Sequence, residues 1–268
     1  MTNKKKRELF KAPAPIIETH CHLDYLKELS TEEIINKSKD LNIQKIVTIS
    51  VEPKNLDTAY SLAQTHENVY CTQGVHPHEA KFWDEATALK IQERAKENKV
   101  VAIGEIGLDF HYNHSPKDKQ IEVFEKQLKL AIKYEKPVVI HSRDADEDTI
   151  NVLKKYSSQL SHKGVIHSFT SGKELAKFAL REGFYLGFNG IITFKSAENV
   201  RKILEITPIE KILIETDAPF LTPVPYRGRE NAPFYLPFVA ERIAQEKGYE
   251  LESFINITTQ NAIDLFKF

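Results

Sequence analysis

Eight short apolar runs, each separated from the next by a stretch of helical periodicity, constrain this chain more than any other feature. They fall at Ile16–Thr19, Lys45–Ser50, Val69–Gln73, Val100–Ile103, Pro137–Ile140, Gly164–His167, Phe184–Gly187 and Lys211–Glu215. Several are apolar throughout rather than alternating, the pattern of parallel strands covered on both faces. The intervening segments carry helix signals. Ser30-Thr31-Glu32-Glu33 reads as a capping box ahead of Ile34-Ile35. Ser115 is expected to cap a helix with Pro116 in its first position, and Ile121, Phe124, Leu128, Ala131 and Ile132 form one apolar face there. Further helices are expected from about Tyr235 to Gly248 and from Thr258 or Thr259 onward. Eightfold alternation of strand and helix predicts a (β/α)₈ TIM barrel, with a doubly wound open sheet as the alternative.

The 268 residues suffice for one such barrel, and no linker or low-complexity run divides them. The expected division is an N-terminal extension over residues 1–14, solvated and flexible, followed by a single barrel domain over 15–268. With 41% hydrophobic and 28% charged residues, the chain reads as a soluble globular protein. No apolar run is long enough to span a bilayer, and no apolar signal core follows Lys4-Lys5-Lys6-Arg7, so the expectation is a cytoplasmic protein without a membrane partner. Two cysteines, Cys21 and Cys71, make no disulfide framework and suit a reducing compartment. The net charge of −1 argues against coating of duplex DNA, so any polyanionic substrate must meet a local basic patch.

In a barrel the chemistry gathers at the C-terminal ends of the strands. Those ends hold His20 and His22 after the first run, His76 and His78 after the third, and Glu105 and Asp109 after the fourth. The fifth offers His141 and Arg143, the sixth His167, and the eighth Asp217. Residues two apart on a strand face the same way, so His20 and His22 are expected to project together with Cys21 turned away. Each residue alone has a plain reading as a cap or loop hydrogen-bonder. Four imidazoles and two carboxylates at five strand ends make a ligand list for two divalent cations. A carboxylate can bridge two cations and offset their repulsion, and a further one can orient or deprotonate water.

Glu18-Thr19-His20-Cys21-His22-Leu23-Asp24, Gly74-Val75-His76-Pro77, Gly104-Glu105-Ile106-Gly107-Leu108-Asp109, His141-Ser142-Arg143, His167-Ser168-Phe169-Thr170 and Glu215-Thr216-Asp217-Ala218-Pro219-Phe220-Leu221 carry a specific likeness. Together with Pro225-Tyr226-Arg227-Gly228, Asn231 and Pro233, they resemble the TatD-family metal-dependent deoxyribonucleases of the amidohydrolase superfamily. The resemblance runs from about Ile16 to the C-terminus. It implies a TIM-type barrel that hydrolyses DNA phosphodiesters, often from a 3′ end, with two divalent ions such as zinc, manganese or magnesium. It implies His20, His22 and Asp217 on one ion, His141 and His167 on the other, and Glu105 between them. Other amidohydrolases bridge with a carbamylated lysine at this point, but here Glu105 stands there and no lysine follows until Lys117. Three positions depart from the family pattern: Glu18 for a usual Asp, Ser168 for a usual Cys and Ala232 for a usual Glu.

Asp217 and Glu105 are therefore the expected catalytic carboxylates, and His76, Arg143 and Arg227 the expected substrate contacts. The predicted substrate is single-stranded DNA or a frayed end, with no obligate protein partner. D-aminoacyl-tRNA deacylation, or hydrolysis of another ester or lactone, would use the same metal-activated water, and a barrel retained only as a scaffold would have lost ligands.

Overall fold

The computed structural model describes residues 7–112 and 114–268. Eight parallel strands lie in one sheet in the order of the sequence, from β1 (Ile16–Cys21) and β2 (Ile43–Thr48) through β3 (Val69–Gln73), β4 (Val100–Asp109) and β5 (Val138–Arg143) to β6 (Gly164–Ile166), β7 (Tyr185–Phe188) and β8 (Ile212–Ile214). Helices α1 (Thr31–Asp40), α2 (Leu56–Thr65), α3 (Glu85–Arg94), α4 (Lys117–Lys133), α5 (Asp146–Tyr156), α6 (Lys173–Glu182), α7 (Glu198–Ile206), α8 (Leu236–Lys247) and α9 (Leu251–Phe266) surround it. This is the (β/α)₈ TIM barrel expected from the alternation.

All eight strands form where the apolar runs lie, but their bounds move. β4 runs on to Asp109, through Gly104 and Gly107, and its pairing with β5 shifts between Ile103 and Ile106. That irregularity places Glu105 at a bulge, which re-aims its side chain. Gly107, at φ +136°, touches the His141 carbonyl so closely that a Cβ would lie 2.0 Å from its oxygen. The residue is glycine because the two strands meet there.

The helix signals fared unevenly. Ser30 and Glu33 form both halves of the capping box on α1. Gly248 ends α8 in the left-handed conformation. Ser115 does not cap α4; Pro116 holds that position, and the Ser115 hydroxyl instead donates to the His78 carbonyl at 2.7 Å. The last helix begins at Leu251, well ahead of Thr258, because Phe254 and Ile255 already pack against the core.

At the opposite end from the barrel mouth, lysines that precede strands reach carbonyls at the C-terminal caps of earlier helices (His66, Ser157, Gly183) or at the first residue of a neighbouring strand (Val69, Val100). Lys99 donates to His66 and Val69 at 3.1 and 3.0 Å, Lys136 to Val100 at 2.6 Å, Lys163 to Ser157 and Lys211 to Gly183 at 2.9 Å. A helix C-terminus leaves carbonyls unpaired and carries partial negative charge, and an ammonium answers both.

β1 and β8 meet at a seam closed largely by polar contacts. The Thr19 hydroxyl donates to the Ile214 carbonyl at 2.9 Å, and the N–H groups of Asp217 and His22 donate to the carbonyls of His20 and Ala218 at 2.9 and 2.8 Å. The Glu18 carboxylate accepts from the N–H of His20 at 3.0 Å and of Thr216 at 2.9 Å. Of the extension expected to be solvated, residues 1–6 lie outside the described residues, whereas 7–14 lie on the barrel: Ala12 and Ala14 are buried, and the Ala12 N–H donates to the Leu41 carbonyl at 3.1 Å.

Candidate metal centre

The strand ends converge on a mouth of about 780 Å³, lined among others by His22, Glu105, His141, His167 and Asp217. His20 lies beneath them, almost wholly buried. Its ring stacks on that of His167 with centroids 3.8 Å apart and stands at a steep angle to that of His22, 5.2 Å away. Cys21, as strand alternation requires, points away and contacts the Val47 carbonyl. Burial pushes its thiol well above its usual pKa, as suits an inert core cysteine.

Glu105 divides its two oxygens between two groups of imidazoles. Oε2 lies 3.5 Å from His20 Nε2, while Oε1 lies 2.7 Å from His167 Nε2, 3.0 Å from His141 Nδ1 and 3.5 Å from His76 Nε2. On the first side, Asp217 Oδ1 stands 3.7 Å from His20 Nε2 and 3.6 Å from His22 Nε2. Ligand atoms about 3.4 Å apart are what a tetrahedral cage with bonds of about 2.1 Å demands. Neither ring nitrogen of His20 has a hydrogen-bond partner, although the ring is buried. A buried imidazole without partners, set among carboxylates at these spacings, fits a divalent cation.

Hydrogen bonds behind the rings select which nitrogen faces the centre. His22 Nδ1 lies 3.3 Å from the Ile49 carbonyl and can only donate to it, which leaves Nε2 as a lone pair toward Asp217. His141 Nε2 donates to Asp109 Oδ2 at 3.0 Å and leaves Nδ1 toward Glu105. His167 Nε2 faces Glu105 at 2.7 Å, with Nδ1 turned toward Glu215 Oε1, 3.5 Å away and beyond a hydrogen bond. His76 is wired the other way. Its Nδ1 accepts from the N–H of His78 at 3.1 Å, so its proton sits on Nε2 and points into the mouth. Geometry groups His76 with Glu105 and His141, yet its tautomer makes it a donor.

Electrostatics follow from this crowding. Burial works to lower His167, but the Glu105 and Glu215 carboxylates outweigh it and hold the ring well above its ordinary pKa. Burial likewise works to raise Glu105, and His167, His76 and His141 overcome it, so its carboxyl lies well below the usual range. Asp217 is lowered against burial by its contact with His22 and by the charges of His20 and His167. Burial raises Glu18 to about 8. Glu105 and Asp217 thus stand as the carboxylates that draw positive charge to the centre.

Two further residues, outside the expected ligands and substrate contacts, support the centre. Glu215, fully buried, accepts from the Ser168 N–H at 2.7 Å and backs His167. Gly187 makes room for it: a Cβ there would lie 2.5 Å from Glu215 Oε2. Asp109, one of the acids at the end of the fourth run, holds His141 and stands 3.0 Å from His78 Nε2. An acid directly after an apolar run was the available signal for Glu215. Asp217 and Ser168 adopt left-handed backbone at φ 58° and 45°, unusual for residues with side chains and frequent at functional sites.

Of the expected substrate contacts, Arg143 lines the mouth, exposed, with its guanidinium 5.0 Å over the Tyr112 ring. Arg227 is exposed outside the lining and rests 4.0 Å over Phe194.

A sequence model described as TatD related DNase matches residues 17–267. An uncharacterized metal-dependent hydrolase, YabD of Bacillus subtilis (strain 168), is 38% identical over 253 residues that cover 94% of this chain and 99% of the relative. A protein of Escherichia fergusonii named 3′-5′ ssDNA/RNA exonuclease TatD is 34% identical over 241 residues, 88% of this chain and 92% of its own. The crystal structure of YJJV, a TatD homolog from Escherichia coli K12, superposes with a TM-score of 0.88 at 27% identity, covering 94% of this chain and 98% of that one. With the match spanning nearly the whole barrel and every strand-end motif in its place, the chain belongs to the TatD-related DNase family of metal-dependent hydrolases.

Proposed function

We propose that the protein hydrolyses phosphodiester bonds at unpaired ends of DNA with two divalent cations, which residues on either side of Glu105 would hold. The observation that carries this reading is the division of the Glu105 carboxylate, one oxygen to His20 and the other to His141 and His167. On this reading His20, His22 and Asp217 hold one ion, and His141 and His167 the other. Imidazole with carboxylate suits zinc or manganese better than magnesium, which favours oxygen shells. When bound, such a pair supplies positive charge at the scissile phosphate and an acidified water.

The chain's own residues then divide the remaining work. Asp217, at the rim of the centre and held as a carboxylate, orients the attacking water and takes its proton. His76, with its proton on Nε2, donates to a phosphate oxygen or to the leaving oxygen. Arg143 offers a fork to the phosphate beside it. Phe220 and Tyr112, 53% and 45% exposed at the mouth, present ring faces on which unpaired bases can stack. The mouth's volume lies within the range of small-ligand clefts and suits a strand end better than a duplex. Glu52 and Glu79 also line it, which disfavours an extended phosphate backbone on that side. The exonuclease name of the Escherichia fergusonii relative supports cleavage from the 3′ end.

The test is hydrolysis of a single-stranded oligonucleotide labelled at its 5′ end, against the blunt duplex, before and after chelation. Stepwise shortening of the single strand, abolished by chelator and restored by zinc or manganese, is expected. A metal-loaded protein that leaves the oligonucleotide intact but deacylates D-aminoacyl-tRNA would move the assignment to the carboxylic ester.

A further inference from the structure

Residues 7–12 precede the region that the family model matches, yet they make specific contacts with the loop that follows β8. The Tyr226 hydroxyl donates to the carbonyl of Arg7. The Arg7 guanidinium forks onto Glu241 of α8, with one arm at 2.7 Å, and lies 4.8 Å over Phe10 and 5.4 Å over Phe238. Phe10 meets Phe238 edge to face at 5.0 Å. The Tyr226 ring is buried between Tyr235 and Phe238, at 4.7 and 5.3 Å.

Tyr226 is the peg of its loop. Its neighbours Pro225, Arg227 and Gly228 are exposed. The loop is otherwise tied at its ends: the Val224 N–H donates to the Thr193 hydroxyl at 2.9 Å, and Glu230 accepts from the N–H groups of Lys27 and Glu28 at 3.0 and 2.8 Å. Between those ties the peg alone is buried, and Arg227 follows it directly. Arg227 rests on Phe194, three residues beyond Ile191 of the mouth. Among the described residues no carboxylate pairs with Arg227.

We infer that residues 7–12 form a strap that fixes the loop Thr222–Glu230 and, through Arg227, sets how tightly the protein holds a strand extending past the mouth. Arg7, Tyr226 and Glu241 are its positioning residues. The functional half of the inference rests on the nuclease reading; the structural half does not. A substrate small enough to end inside the mouth never reaches Arg227, whereas a longer strand carries phosphates to it. The strap therefore discriminates by substrate length.

Full-length Tyr226→Phe and Glu241→Gln test this; both keep the ring or the side-chain size, so folding is conserved. Three readouts are taken: amide exchange over 222–230, KM and kcat on a single-stranded oligonucleotide, and turnover of bis(p-nitrophenyl) phosphate. Faster loop exchange is expected, with oligonucleotide KM raised about fivefold for a lost hydrogen bond and kcat and small-diester turnover unchanged. In an Arg227→Ala background neither substitution should raise KM further. Unaltered exchange with unaltered KM would overturn the strap, as would an equal loss on both substrates. Should the unsubstituted protein neither bind nor cleave the oligonucleotide, the nuclease reading fails instead, and loop exchange alone decides whether the strap fixes the loop.

Discussion

At the scale of single residues, the centre is built by what stands behind each ligand. Asp217 is expected to serve as the proton acceptor, so Asp217→Asn should keep the fold and most of the metal while cutting single-turnover cleavage about 10²-fold or more. Near-normal cleavage would reduce Asp217 to a turn residue. Glu215 never reaches the mouth, and its effect should be on affinity: Glu215→Gln keeps an acceptor for Ser168 but loses the charge beside His167, which should weaken metal binding about 10- to 100-fold. Titration against a chelator of known affinity measures this, and unchanged affinity would remove Glu215 from the centre. The ring-bearing positions were legible because a strand places residues two apart on one side and because so many imidazoles and acids recur together at five strand ends, although each alone reads as a cap. Their tautomers were not. The choice between donor and ligand at His76 depends on the His78 N–H behind it, a contact no spacing in the sequence encodes.

At the scale of elements, the strands were readable and their limits were not. Continuous apolar runs locate β1 through β8, but β4 continues through two glycines because β5 lies too close for any other residue. The start of α9 was missed for a related reason: it has no side-chain cap to announce it, and tertiary packing of Phe254 and Ile255 sets it instead. The lysines before β4, β5, β6 and β8 also went unread, since a lone lysine beside an apolar run looks like surface polarity. Their contacts predict a measurable effect. Lys99→Met keeps the half-buried stem but loses the ammonium that meets the carbonyls beyond α2, and should destabilise the protein by about 1 kcal/mol in urea unfolding. A change within error would mean that water caps those carbonyls equally well.

At the scale of the whole molecule, fold and centre depend on each other. Because the cluster is assembled only in the folded chain, a metal bound there should stabilise the barrel by linkage, by about 2.7 kcal/mol when free metal is a hundred times its dissociation constant. Chelation should lower the melting temperature, and the amides of Glu18–His22 and Thr216–Ala218 should lose exchange protection first, since the seam between β1 and β8 is joined by the same residues that surround His20 and Asp217. Uniform loss across all eight strands would contradict that order. The seam has another consequence. His20 and His22 come from near the beginning of the chain, and Asp217 from beyond four-fifths of its length. A polypeptide that ends before β8, at a premature stop or a pause in synthesis, carries the imidazoles but lacks the acid that completes their cage. On the proposed nuclease reading, hydrolytic competence should arrive only with the finished ring, and unfinished chains should spare the nucleic acid around them.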